Sequence, residues 1–152
     1  MDSDDPLWRA LDRVAETPTL LVACAFDGAL AAEEGDPAQA RAEQVSSEAL
    51  NVLMALAGTT VAVVSDRPAD EVAELMFLSG AKGGARVVAP DGVGPLRAEL
   101  GATAMVTVGF EPTGAGRDDV VVGVDAPAPY EVEDVDDVAA VLEELASLRR
   151  RS

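Results

Sequence analysis

The feature that most constrains this chain is the unbroken apolar run Leu20-Leu21-Val22-Ala23-Cys24-Ala25-Phe26, entered through Pro18 and left through Asp27-Gly28. A run of strand length without polar alternation fits a strand covered on both faces, as in a parallel sheet, better than a half-exposed one. It is therefore the expected central strand. Asp27-Gly28 falls at its carboxyl end, where open α/β sheets place their ligands. Any chemistry is expected there.

Strand and helix signals alternate along the rest of the chain. Residues 4–16 read as a helix, with Pro6 suited to its first turn and Leu7, Leu11 and Val14 on one face; Trp8 reads as a packing anchor. The acidic residues 31–44 read as a loop beside the site. Ser46-Ser47-Glu48 opens a helix carrying Leu50, Leu53, Met54 and Ala57 on one face, with Gly58 as its stop. Further strands are expected at 60–64, 86–89, 103–109 and 120–124, and helices at 68–78, 95–100 and 134–145. Arg149-Arg150-Arg151 follows the last helix and suits the negative end of its dipole. The pattern predicts an α/β three-layer sandwich around a mainly parallel five-stranded sheet.

Composition narrows the function classes. At 152 residues and 49% hydrophobic content, the chain is expected to bury one core as a single domain. A formal charge of −17, from 28 acidic against 11 basic residues, argues against nucleic acid and anionic membrane surfaces as partners. No apolar run approaches the roughly 18 residues of a membrane span. The start, Met-Asp-Ser-Asp-Asp-Pro, has neither a positive nor an apolar signal-peptide region, so a cytoplasmic location is expected. The lone Cys24 cannot form an internal disulfide and reads as a small core residue. With no histidine in the chain, His-containing zinc sites and Cys/His or Ser/His catalytic pairs are excluded.

Against this background Ala25-Phe26-Asp27-Gly28-Ala29-Leu30 resembles the first motif of the haloacid dehalogenase superfamily, Asp-Phe-Asp-Gly-Thr-Leu after an apolar strand, and in particular its trehalose-6-phosphate phosphatase branch. In that family the first Asp is the nucleophile and a magnesium ligand, and the second is the general acid/base. The resemblance implies Ala25 in the nucleophile's place and Asp27 in the acid/base place. Ser65-Asp66-Arg67-Pro68 resembles the second motif, Ser-Gly-Arg-Pro, which implies phosphate-binding roles for Ser65 and Arg67. The same four residues read equally well as a strand end followed by a helix cap. Lys82, the only lysine, precedes the third strand in a Gly-rich stretch and reads as a solvated loop residue. Gly109-Phe110-Glu111-Pro112-Thr113-Gly114 is similar to the family's Gly-Asp-Asp-x-Thr-Asp, so Asp27 and Glu111 would be the remnant of a metal set, with Phe110 and Gly114 departing from it. The resemblance also implies the Rossmann-like core of the superfamily, with sheet order 3-2-1-4-5, as one domain over 1–152. Trehalose-6-phosphate phosphatases insert a cap domain between the third and fourth strands. Here only 90–102 is available, far below the roughly 40 residues a domain needs, and no cap is expected.

Phosphoryl transfer through an aspartyl intermediate needs a carboxylate nucleophile, and Ala25 cannot attack phosphorus. The expectation is a catalytically inactive relative with a binding or regulatory role. The alternative is a residual phosphatase acting on a sugar phosphate or another small phosphate ester. No cofactor is expected, with magnesium implied only if activity remains. Phe26 and Phe110 at the strand ends are expected to present apolar surface that a second copy or a protein partner would cover.

Overall fold

The computed structural model describes residues 6–31, 44–66, 71–72, 85–112, 115–116 and 119–151. The expected central strand is β1 (Leu20–Ala25), and every one of its residues is buried. It pairs in parallel with β2 (Thr59–Val64) on one side and β4 (Ala104–Val108) on the other. β3 (Ala85–Val88) extends the sheet beyond β2, and β5 (Val120–Val124) extends it beyond β4. A further strand, β6 (Tyr130–Val132), adds in parallel to β5, so the sheet has six strands in the order 3-2-1-4-5-6. The expected five-strand order stands inside this one, and the strand count is corrected by β6. Three residues between Pro129 and Glu133 are too short to carry a periodic signal, and proline beside a strand marks an edge.

Alternation along the strands divides the apolar residues between the two sheet faces. Leu20, Val22 and Cys24 of β1 join Val61, Val63, Val106 and Val122 in the larger core cluster. Four helical contributions meet that face: α1 (Pro6–Ala15), α2 (Gln44–Ala55), the long α4 (Val135–Arg151), and Val72, fully buried beside helical Glu71. Leu21 and Ala23 point the other way and join Ala62, Val64 and Met105 beneath Val93 and Leu96 of α3 (Val93–Leu100). These are the three layers of the expected sandwich. α3 follows a 3₁₀ turn at Pro90–Gly92 and ends at Gly101, whose φ of 63° gives the left-handed cap that only glycine adopts without cost. The helix expected over 68–78 lies outside the described residues except at 71–72.

Two buried ionic groups brace the amino ends of the strands. Asp119, whose side chain is 1% exposed, accepts hydrogen bonds from the Met105 N–H at 3.0 Å and the Gly116 N–H at 2.6 Å and pairs with Arg97 of α3. Arg149 sits in the last turn of α4, yet it is only 8% exposed. Its guanidinium donates to Thr59 Oγ1 at 2.9 Å, to the carbonyls of Ala15 at 2.9 Å and Gly58 at 3.1 Å, and to that of Thr17. Burial pushes its pKa below the ordinary value. The acceptors oppose that shift, and arginine remains charged. The cation thereby serves carbonyls left over where α1 ends and where the chain leaves α2 for β2, the favoured place for positive charge at helix C-termini.

β6 is one edge of the sheet, and two outward backbone positions flanking it offer no donor for pairing. Pro129 has no N–H, and the Glu133 N–H is held by the Asp137 carboxylate at 2.9 Å. Asp134 caps α4 at the same place, accepting from the N–H groups of Asp136 and Asp137 at 3.1 Å each.

If Arg149 holds the amino ends together, Arg149→Met leaves several buried carbonyls without donors, at about 1–3 kcal/mol each before relaxation. A loss of roughly 3 kcal/mol or more in urea unfolding is expected, with little recovery in Arg149→Lys because a point donor cannot span the same acceptors. A loss below about 1 kcal/mol would be no more than an exposed side chain contributes and would contradict this role.

Candidate active-site crevice

The carboxyl end of β1 turns back on itself in a closed loop. The Ala25 and Phe26 carbonyls accept from the N–H groups of Leu30 at 3.2 Å and Ala31 at 2.8 Å, and the Gly28 N–H donates to the Ala31 carbonyl at 2.7 Å. Gly28 takes a φ of 87°, the left-handed conformation that explains glycine after Asp27. Ala29, Leu30 and Ala31 are fully buried, so the turn is packed from beneath and Asp27 is left exposed at its tip. The Phe26 N–H continues the sheet by donating to the Val64 carbonyl at 2.9 Å. Ser65, half-buried, follows Val64 directly, and Val64 is the register partner of Ala25, so Ser65 and Asp27 leave neighbouring strand ends.

On the other side β4 ends at Val108 and is followed by Gly109. A Cβ built there would stand 2.7 Å from the Ala29 Cβ and 3.1 Å from the Ala25 Cβ, and its φ is 85°. Three small residues therefore meet at the floor of the crevice. Ala25 is 8% exposed and offers only a methyl group at the position the resemblance assigns to a nucleophile. Cys24, one residue earlier, faces the core; burial pushes its thiol up to about 12, so it is no nucleophile near neutral pH. After Gly109, Phe110 is half-buried against both core clusters and Glu111 is exposed.

Asp27, Ser65 and Glu111 thus occur at the carboxyl ends of three adjacent strands. Arg67, Lys82, Thr113 and Gly114 lie outside the described residues, as does the stretch 32–43 of the loop expected beside the site. The expectation of apolar surface at the strand ends is corrected in part: Phe26 is fully buried and adds nothing to that surface. Phe110 is half-buried and, with Val124 and Pro127, lines a cavity of about 550 Å³ at the carboxyl ends of β4 and β5. The closed turn carries the Phe26 ring into the core, a direction that an unbroken apolar run cannot reveal. Val45 is the one large hydrophobic exposed among the described residues. Arg97, Asp119 and Arg149 escaped sequence reasoning, and each braces the opposite pole of the sheet.

Magnesium is the ion that the resemblance implies, and the donor set does not fit it. Mg²⁺ takes hard oxygen ligands in near-ideal octahedral geometry. Ala25 and Phe110 offer no side-chain oxygen, and among the described residues no three His, Cys, Asp or Glu side chains converge as a metal site.

The site thus sits on a parallel α/β sheet of order 3-2-1-4-5-6, sandwiched by helices, with an Asp-Gly turn at the carboxyl end of its central strand. Among solved structures, the chain is similar to 3-deoxy-D-manno-octulosonate 8-phosphate phosphatase from Moraxella catarrhalis, crystallised with magnesium, phosphate and KDO. The TM-score is 0.57 at 16% identity, over 93% of this chain and 94% of that one. At that identity the likeness is one of fold. No family model and no curated protein match the chain.

The contact between Gly109 and the β1 turn is directly testable. Gly109→Ala is expected to cost about 2–4 kcal/mol in urea unfolding, from the clash with Ala29 and the positive φ together. Adding Ala29→Gly should recover the clash and leave the φ strain. An unchanged midpoint for the single variant would show that the two backbones do not approach as described.

Proposed function

We propose that this chain is a haloacid dehalogenase-fold protein that does not catalyse phosphoryl transfer and serves instead in binding or regulation. One observation carries the reading: a buried methyl group, Ala25, stands at the carboxyl end of the central strand, against Ala29 and Gly109, where such an enzyme needs its attacking carboxylate. Loss of a covalent nucleophile from a concerted site costs on the order of 10⁶ in rate. The adjoining β4 end supports the same conclusion, because half-buried Phe110, packed against the core, supplies no metal ligand there. The trehalose-phosphatase-like origin rests on the motifs alone. The absence of a cap is supported by the β3–β4 connection, which holds a 3₁₀ turn and the eight residues of α3. A cytoplasmic location remains part of the proposal; no helix among the described residues is long and apolar enough to cross a membrane.

The competing reading is a residual phosphatase acting on a sugar phosphate or another small phosphate ester. It draws on Asp27, exposed at the tip of its turn, and Ser65 at the neighbouring strand end. Asp27 would then act as general acid/base, with Ser65 and Arg67 on the phosphate. An assay with p-nitrophenyl phosphate and trehalose 6-phosphate in magnesium separates the two. No turnover is expected, and Ala25→Asp alone should not restore it, because Phe110 still occupies a ligand position. Magnesium-dependent turnover by the unmodified protein that disappears in Asp27→Asn would overturn the proposal.

A further inference from the structure

Away from the carboxyl-end crevice, and sharing none of its residues, a cavity of about 490 Å³ lies between the start of α1 and the edge strand β6. Its volume is that of a small-ligand site. Trp8 and Tyr130 both line it, and both are half-buried and packed against the main core, so their rings are held in place. Between them they are the chain's only tryptophan and only tyrosine. Glu131 and Glu133, exposed on β6 and just beyond it, add carboxylates to the rim, and among the described residues no basic side chain lines the cavity. Because β6 is an edge, residues of both its faces reach the same opening.

The physical chemistry of this lining selects a class of ligand. Indole and phenol faces attract a cation through the ring quadrupole, by about 0.5–1 kcal/mol at exposed sites and more when water is excluded. The carboxylates and the net charge of −17 favour the same sign and repel anions. A bulky, weakly hydrated ammonium suits aromatic walls better than a metal ion, which would prefer converging oxygens. An extended peptide is disfavoured because Pro129 has no N–H and the Glu133 N–H is held by Asp137, which leaves only Glu131 on the outer edge of β6 for strand addition. We propose that the Trp8–Tyr130 cavity binds a compact organic cation with an apolar body, a quaternary or methylated ammonium compound.

Trp8 fluorescence reports on this cavity alone. Titration with choline is expected to give a saturable change that its uncharged isostere, 3,3-dimethylbutanol, and sodium chloride at equal ionic strength do not. Tyr130→Leu, which keeps an apolar wall, should weaken choline binding by about three- to tenfold. Glu131→Gln with Glu133→Gln, both at exposed positions, should weaken it and reduce its salt dependence, with the urea midpoint unchanged. A trimethyllysine peptide should bind no more tightly than choline; much tighter binding would place the cation on a protein tail and overturn the small-molecule form. An equal response to choline and its isostere, no response to choline, or full affinity in both variants would overturn the site itself. Phosphatase activity, whether present or absent, bears on none of these outcomes.

Discussion

The backbone of Gly109 lies against the methyl groups of Ala25 and Ala29, and the character of the carboxyl-end crevice follows from that approach. Glycine is required because any Cβ at φ 85° would collide with the turn after β1. The turn in turn is held by the N–H groups of Gly28, Leu30 and Ala31, which lock it into one compact shape. The result is a well-formed strand end with a floor of small side chains. In the reading proposed above, Ala25 stands where a phosphoryl-transfer enzyme of this fold would carry its attacking carboxylate. Function resides in a few side chains grafted on a widely used fold, so the shape of this strand end does not by itself fix its chemistry.

Stability is concentrated at the other pole. Arg149 ties the end of α4 to the carbonyls at the end of α1 and at the entry to β2, and the pair of Asp119 and Arg97 ties β4 and β5 to α3. Neither ionic group reaches the crevice. A buried charge is costly unless it is fully hydrogen-bonded, and both of these are surrounded by partners. The carboxyl ends are therefore free to vary in sequence without removing what holds the layers together. That division is consistent with a strand β1 that is buried along its whole length and ends in a small residue, Ala25.

The parts of the fold that were legible in the sequence are those with a long, periodic or capped signal. The β1 run, the alternation of four more strands with helices, and the last helix with arginines after it were all readable from spacing and turn chemistry. β6 was not, because Tyr130-Glu131-Val132 is too short for alternation to register and its pairing depends on where β5 stands. Arg149 was hidden among three consecutive arginines, where charge alone says solvent and only tertiary contact says burial. Phe26 looked like a residue of the crevice because it adjoins Asp27, and the closed turn, not the local pattern, sends its ring inward. Asp27 and Ser65 were placed at neighbouring strand ends by their motifs, whereas the tight packing of Gly109 on Ala25 needed the structure.

The central claim is that the crevice lacks a carboxylate able to accept a phosphoryl group. Fluorine NMR of the unmodified protein with beryllofluoride and magnesium addresses it most directly, since beryllofluoride forms a stable acyl-phosphate mimic only on a suitably placed aspartate. Resonances of free fluoroberyllate species alone are the predicted result. A protein-bound resonance that is lost in Asp27→Asn would contradict the account.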